Sequence, residues 1–468
     1  MQQNPLPVLA RAFHHAQEFL AGLDVRSVAA TVGAEELRAR LGGSLPENGS
    51  DPATVIDQLV ARTADGHLGC ASGRFFGWVI GGALPSALAA DWLTSTWDQN
   101  AALYACGPAA AVCEEIAGEW LKEMLDLPRN SSFAFTTGCQ LAHFTCLAAA
   151  RFRILADAGW DVAADGLFGA PPVRVIVSDQ RHGSIDRAIR FLGFGNRSVI
   201  MLRSNGGGQL EPALLQDELS KRQGPTILVL NAADLNIGAC DLAAQLIPVA
   251  KQAGAWVHID GAFGLIARAS RSKRPLLAGV EQADSWATDA HKWLNVPFDC
   301  GVAFVRDAAA HRASMTISAS YIATSREVRD QIDWNPEWSR RARGIPVYAA
   351  LMELGRSGFE KLVDRSCAHA ATLVAQIAAL PGAEIVWAPT LNQGLVRFRE
   401  PRDGATEQEH DARTDAAISA INSTGEAFFS GTTWRGRRAM RISVVNWRTD
   451  TNDIERTSAA VERALKGL

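Results

Sequence analysis

From Phe133 to about Val305 the chain alternates two kinds of hydrophobic pattern. Short, nearly continuous apolar runs rich in β-branched residues occupy 173–178, 198–202, 226–231, 255–259, 285–288 and 301–305. Between them, 141–156, 185–192, 212–222 and 242–253 carry apolar residues at every third or fourth position. The first kind reads as strands buried on both faces, the second as helices with one apolar stripe. Their alternation predicts an α/β fold, a mainly parallel sheet with helices on both faces, in which ligands sit beyond the carboxyl ends of the strands. Asp260 falls at such an end, directly after its strand.

The flanks follow other rules. Residues 6–41 read as helical and 46–51 as a turn cluster, which makes 1–65 an N-terminal helical segment. The stretch 320–344 is polar, rich in Arg and Trp, and reads as a long excursion. A helix over 361–380 ends at Pro381-Gly382, and strands at 384–387, 394–398 and 440–445 bracket a further helix and a loop. With 468 residues the chain is too long for one ordinary core. We therefore divide it into the segment 1–65, a large domain 66–350 and a small C-terminal α+β domain 351–468, with no internal repeat.

Composition narrows the class of protein. Hydrophobic residues make up 47% and charged residues 21%, the profile of a globular chain, and the net charge of −4 leaves no footprint for nucleic acid or an anionic membrane. The stretch 78–93 is apolar but is broken by Gly81, Gly82, Pro85 and Asp91, too short to span a bilayer. His14, His15, Gln17 and Glu18 interrupt the first 23 residues, which therefore lack the apolar centre of a signal peptide. Eight cysteines are scattered without a Cys-x-x-Cys pair, so reduced thiols and a cytoplasmic location are expected. No His or Cys set has zinc spacing, and no metal is expected. Gly193-Phe194-Gly195 lacks the third glycine of a dinucleotide fingerprint, and 205–208 reads as a turn.

Three features carry candidate chemistry. Lys292 sits in Ala290-His291-Lys292-Trp293-Leu294 among bulky apolar neighbours. Burial lowers the pKa of an amine, which favours a lysine that attacks a carbonyl or pyridoxal 5′-phosphate (PLP). Asp260 stands 32 residues earlier, about one helix-plus-strand unit, so both would lie along one sheet edge. A carboxylate there suits an ion pair with a protonated pyridine nitrogen. Third, the strand from Phe133 leads through Thr137-Gly138-Cys139-Gln140 into a helix, and such a turn offers free N–H groups and a helix dipole to an anion.

With these residues in view the chain resembles the group II PLP-dependent amino acid decarboxylases of fold type I. This is the family of aromatic-amino-acid, glutamate and cysteine sulfinate decarboxylases. Asp284-Ser285, Ala290-His291-Lys292-Trp293-Leu294 and Phe298-Asp299-Cys300 are specific to it, and His258-Ile259-Asp260-Gly261-Ala262 matches its pyridine-binding strand. Residues 178–184, which include His182, match the segment whose histidine stacks on the cofactor, and Phe75-Phe76-Gly77 with 90–95 resemble its substrate-side segment.

The resemblance implies the PLP-dependent transferase fold, with a seven-stranded sheet, and a homodimer. It also implies that Lys292 carries the cofactor, Asp260 partners the ring nitrogen, His182 stacks on the ring and Ala262 packs its other face. Gly138, Cys139, Gln140 and His291 would surround the phosphate and Asn231 would lie near the ring. Tyr321, within Ser320-Tyr321-Ile322, would belong to a mobile catalytic loop. Trp338 and Ser339 would be lent to a neighbouring subunit's phosphate site. Two departures stand out: Cys139-Gln140 replaces the usual small and hydroxyl pair, and Asp289 replaces the Asn of animal relatives.

The expected activity is decarboxylation of an L-amino acid to its amine and carbon dioxide. Alternatives are transamination or oxidative deamination to an aldehyde, and a PLP-binding protein without turnover. Trp78, Asn100 and Tyr104 fall in the pocket-lining segment of relatives. Trp78 and Tyr104 suit an aromatic substrate and Asn100, with Gln99, a polar one. An acidic substrate, as for the glutamate-type members, would need a buried cation, for which Arg448 is the nearest C-terminal candidate. The balance favours an aromatic or uncharged amino acid.

One prediction belongs to Tyr321. The carbon that loses carbon dioxide must gain a proton before dioxygen intercepts it, and the phenol is the acid the resemblance suggests. Tyr321→Phe should lower amine formation by about 10²–10⁴-fold and raise oxygen uptake with aldehyde and ammonia. Amine formation at the wild-type rate without aldehyde would make Tyr321 a plain loop residue.

Overall fold

Seven strands build the central sheet: β1 (Ser132–Thr136), β2 (Arg174–Ser178), β3 (Val199–Leu202), β4 (Thr226–Asn231), β5 (Trp256–Asp260), β6 (Ser285–Asp289) and β7 (Gly301–Val305). This computed structural model describes residues 4–221, 224–317 and 328–468, so Ser320, Tyr321 and Ile322 lie outside the described residues. The strand order is β1-β7-β6-β5-β4-β2-β3. Neighbours from β6 to β3 are parallel, and β7 runs antiparallel to both β6 and β1. The reversal has a simple cause. Only residues 290–300 join β6 to β7, too few for a crossover helix, so the chain turns straight back. That return loop carries Lys292.

The helices, in chain order, are α1 (Leu6–Ala21), α2 (Ala34–Leu41), α3 (Pro52–Thr63), α4 (Pro85–Trp97), α5 (Pro108–Met124), α6 (Cys139–Asp157), the single turn α7 (Val162–Asp165), α8 (Gly183–Phe191), α9 (Pro212–Lys221), α10 (Ala243–Gln252), α11 (Ala308–Met315), α12 (Gly344–Ala378), α13 (Glu407–Ser423) and α14 (Thr451–Lys466). The single helical reading of 6–41 is corrected to two helices, because Gly22 closes α1 and Gly33 caps α2. The helix expected over 361–380 begins earlier, at Gly344, and its backbone breaks at Gly355 with φ 56°.

Strand side chains alternate between two cores, as the period of two requires. Val257 and Ile259 join a cluster with Trp286, Phe304 and Leu121, while Trp256, Val175 and Val229 pack with α6 and α8. His258 and Asp260 share the second face with Trp256, which directs both toward α6.

The C-terminal part forms a second, antiparallel sheet from β8 (Ala383–Trp387), β9 (Gln393–Phe398), β10 (Ser430–Trp434) and β11 (Arg437–Ser443), in the order β10-β11-β9-β8. The sequence reading missed β10. Its hairpin turn, Arg435-Gly436, places both residues at positive φ (49° and 78°), the geometry that two-residue hairpins favour.

A fully buried ion pair clips the large domain together. Arg340 reaches both oxygens of Glu114 at 2.8 and 2.9 Å, with neither side chain exposed, and also donates to the carbonyls of Ala101 and Phe135. Glu114 is on α5 and Phe135 on β1, so the pair fixes the 340s segment to the end of the sheet. Removing one partner strands a charge in the core. Arg340→Met should lower the unfolding free energy by about 3–5 kcal/mol in urea at fixed protein concentration, and Glu114→Leu added to it should recover part of that loss. A loss below about 1 kcal/mol for the single variant would contradict this.

Candidate active site

The register of the sheet assembles the candidate residues. Asn231 at the end of β4 pairs with Asp260 at the end of β5, which pairs in turn with Ala287 on β6. Two rungs across, Gly301 faces Asp289 on one side and Thr136 on the other. Gly301 is required there: a Cβ would stand 2.4 Å from the Gly138 carbonyl carbon, so any side chain would push the turn before α6 off the sheet. The carboxyl ends of β1, β4, β5 and β6 thereby share one edge, with the N-terminus of α6 beside them.

At that edge Asp289 makes two ties. One oxygen accepts the Cys139 backbone N–H at 2.5 Å, and the other lies 2.9 Å from the Lys292 ammonium. The expectation that burial depresses Lys292 is therefore corrected. Burial alone would lower its pKa, but the carboxylates of Asp289 and Asp260 outweigh it and the net direction is up. Asp289, where animal relatives have Asn, is thus countered by an ammonium and a helix N–H. His291 accepts the Cys300 N–H at Nδ1 (3.1 Å), which leaves its proton on Nε2, 3.6 Å from Asp289. Burial lowers the His291 pKa, with Asp289 pulling the other way.

Asp260 is buried and accepts the Ala262 N–H at 3.1 Å. Beneath it lies a group that the sequence reading did not foresee. His143 Nε2 is 3.5 Å from Asp260 and 3.3 Å from Cys139 Sγ, and His143 Nδ1 is 2.9 Å from His258 Nε2. His258 Nδ1 continues to Ser285 Oγ at 2.9 Å, which accepts the Trp256 indole N–H at 3.0 Å. Both rings are fully buried, and burial pushes each down to about 3. The Cys139 thiol is pushed well up, by burial and then by Asp289 and Asp260. Residues 115 positions apart meet through the α6–β5 contact; the available signal was His258 alternating with Asp260 on one strand face.

His182 caps α8. Its Nδ1 accepts the Ser184 N–H at 3.2 Å, so in the neutral ring the proton is on Nε2; burial holds its pKa below the usual value, partly offset by Asp260. His182, Lys292, Asp260, Asn231, Ala262 and His291 all line one cavity of about 430 Å³, together with Trp78. Trp78, at φ 48°, packs against Phe428 at 5.4 Å and Phe75 at 6.1 Å, an aromatic wall on the mouth.

Other expected residues lie elsewhere. Gly138, Cys139 and Gln140 form the start of α6, off the cavity; Cys139 touches Asp289, which in turn holds Lys292. Asn100, Tyr104 and Ser339 do not line it. Asn100 accepts the backbone N–H groups of Ala102 and Arg340, Tyr104 donates its backbone N–H to Asp330, and Ser339 is exposed. Arg448, the cation named from the sequence, stacks on Trp447 at 4.6 Å beside a different cavity. The cation that does line the site is Arg441 on β11, mostly buried, donating to the Leu235 carbonyl at 3.0 Å and leaving its Nε without a partner. Burial pushes it down to about 10, against the pull of Asp234.

The residues present fit pyridoxal phosphate. An amine and a buried carboxylate line the same cavity, an imidazole joins them, and a helix N-terminus adjoins. The buried Gln140 Nε2 on the first turn of α6 has no hydrogen-bond partner, as a donor awaiting an anion would.

Known proteins share the family and the fold of this chain. The pyridoxal-dependent decarboxylase conserved domain matches residues 38–400. The aromatic-L-amino-acid decarboxylase of Bacillus atrophaeus is 27% identical over 443 residues, covering 92% of this chain and 89% of that protein. Tryptophan decarboxylase 1 of Oryza sativa subsp. japonica is 26% identical over 463 residues, covering 93% and 88%. In fold, the crystal structure of Oryza sativa TDC with PLP and tryptamine superposes with a TM-score of 0.92 at 23% identity, over 100% of this chain and 99% of that one.

Asp289 generates the prediction here. A raised amine pKa leaves less free amine at neutral pH, so removing its cause should do the reverse. Asp289→Asn keeps an acceptor for the Cys139 N–H but drops the charge, and burial then dominates at Lys292. The pH–rate profile for covalent capture of pyridoxal phosphate by the cofactor-free protein should move to lower pH. An unmoved profile would show that Asp289 does not set the amine.

Proposed function

The chain belongs to the pyridoxal-dependent decarboxylase family, and on that premise we propose how its site works as a PLP-dependent amino acid decarboxylase. The observation that carries the reading is the convergence of Lys292, Asp260 and His182 on one cavity beyond the carboxyl ends of parallel strands. When bound, pyridoxal phosphate supplies an aldehyde for an amine and a conjugated ring that accepts the electron pair left by departing carbon dioxide.

Lys292 would hold the cofactor through its amine, and Asp260 would provide the anion for its ring nitrogen. His182, Ala262 and Asn231 line the same cavity and would contact the ring, His182 with its Nε2 proton available because the Ser184 N–H occupies Nδ1. Gly138, Cys139, Gln140 and the Nε2–H of His291 receive the phosphate at the N-terminus of α6. Tyr321, which lies outside the described residues, is the proposed proton donor on the strength of the family resemblance. Arg441 attracts the substrate carboxylate and orients it; too tight a hold on a group that leaves as a neutral molecule would stabilise the ground state instead.

The substrate is an L-amino acid with an aromatic or uncharged side chain. Trp78, backed by Phe75 and Phe428, offers an apolar wall, while among the described lining residues Arg441 is the one cation besides Lys292. A substrate with two carboxylates would leave one unpaired.

The working unit is a homodimer. Leu6, Leu9 and Phe13 on α1, Leu59 and Val60 on α3, and Trp92 and Trp97 on α4 are exposed apolar groups, and none of α1 to α3 buries a residue. Exposed apolar surface on that scale favours a partner copy. Asn100, Tyr104 and Ser339 share one hydrogen-bonded loop pair, since Ala101 donates to Arg340 and Arg340 to Asn100. We assign that loop pair to the partner's site, with Asn100 and Tyr104 on the substrate side and Ser339, beside Trp338, near the phosphate. A cytoplasmic location is supported by eight free cysteines, and among the described residues no helix is long and apolar enough to cross a membrane.

Two measurements test the reading. Borohydride should fix the cofactor onto the peptide containing Lys292; label on another lysine would overturn the assignment. In a panel of L-amino acids scored by carbon dioxide release, aromatic or uncharged substrates should lead, and Arg441→Met should raise KM more than it lowers kcat. Preference for an acidic substrate would overturn the substrate class while leaving the chemistry intact.

A further inference from the structure

We propose that His143 is the positioning residue for Asp260, presenting to its carboxylate the last ring N–H of a buried, one-directional hydrogen-bond chain that starts at Ser285 and passes through His258. The proposal deepens the reading above and rests on Asp260 as the partner of the ring nitrogen.

The direction follows from the groups at each end. The Trp256 indole can only donate, and its N–H goes to Ser285 Oγ at 3.0 Å. The Ser285 proton is then free for His258 Nδ1 at 2.9 Å. That puts the His258 proton on Nε2, directed at His143 Nδ1 2.9 Å away, and leaves the His143 proton on Nε2. The far end requires the same result. His143 Nε2 is 3.5 Å from the Asp260 carboxylate, where a lone pair would be repelled and an N–H is attracted. The reverse arrangement would set that lone pair against the carboxylate. The hydrogen bond of the same nitrogen is to Cys139 Sγ at 3.3 Å, and the N–H meets the Asp260 carboxylate as a dipole facing a charge.

Both rings are wholly buried and neutral, so the chain delivers a directed donor without adding a second charge beneath the cofactor. A cation there would compete with the pyridine proton for Asp260. The titratable and charged groups around Asp260 are Cys139 and His143 from α6, His258 from β5 itself, His182 from the cap of α8, and Asp289 and Lys292 from β6 and its loop. Arg441 on β11 faces His182. Of these, His143 has a ring proton that no other protein carboxylate claims.

The test uses the dissociation constant of pyridoxal phosphate and the pH dependence of the bound cofactor's visible absorption, with circular dichroism melting as the folding control. His143→Leu should weaken cofactor binding roughly 10-fold or more and shift the absorption profile. His143→Gln, whose amide can donate from nearly the same place, should stay within about three-fold of wild type with an unshifted profile. In an Asp260→Asn background, His143→Leu should cost little more, because the two residues act as a unit. Should His143→Leu fail to fold, Ser285→Ala frees the chain to reverse and should move both readouts in the same direction by a smaller amount. Wild-type affinity and absorption in His143→Leu, or an equal loss in the Asp260→Asn background, would reduce His143 to packing and overturn the proposal. If Asp260→Asn alone left both readouts unchanged, the assignment of Asp260 would fall, and this inference with it.

Discussion

The carboxylate of Asp289 is the contact on which the site depends. It ends β6, ties the first N–H of α6 at 2.5 Å and holds the Lys292 ammonium at 2.9 Å. One side chain thus joins three parts brought together by topology: the return loop, the sheet and the helix whose N-terminus suits an anion. A neutral amide could make the first tie but not the second. The carboxylate has a consequence for chemistry, because it keeps the amine charged and opposes burial. At the proposed site the amine is therefore held in its charged, non-nucleophilic form until Asp289 is drawn away or neutralised.

The fold around this contact is mechanically simple. The link 290–300 is too short to cross over, so β7 must return antiparallel, and Gly301 can then face Thr136 and Asp289 at once. Its missing side chain lets Gly138 approach. On the other side, the alternation of Trp256, His258 and Asp260 sends a polar pair into the α6 face of an otherwise apolar core. Burial there is tolerable because every ring nitrogen has a partner and neither ring is charged.

Much of this could be read along the chain, and the remainder could not for identifiable reasons. β2, β4, β5, β6 and β7 carry their own signal, because strands buried on both faces are short continuous runs, whereas the edge strand β3 is only partly buried and is marked by its β-branched residues. Lys292 and Asp260 follow from motif and strand end. His143 was invisible, since it meets Asp260 only through the packing of α6 on β5, 117 residues away. Arg441 was passed over for Arg448 because seven positions along a strand and its exit loop separate a side chain in the cavity from one stacked on Trp447. β10 was missed because its polar residues lack alternation, although its Gly436 turn marked a hairpin. Asn100, Tyr104 and Ser339 lie off the cavity because the Asn100 side chain is bound into the backbone of Ala102 and Arg340.

Charge in the cavity bears on selectivity. The carboxylate of Asp234 is committed to the backbone N–H groups of Asn236, Ile237 and Ala239 at 2.8 to 3.1 Å, so it presents little free acceptor to a ligand. Asp260 and Asp289 are engaged by the groups beneath and beside the cofactor site. With Lys292 paired to Asp289, Arg441 is the other lysine or arginine among the described lining residues. Arg441 and the aromatic wall of Trp78, Phe75 and Phe428 are the two features on which the proposed substrate class rests. An acidic side chain would enter a partly desolvated space without a partner, at a cost that its own hydration outside the cavity does not impose.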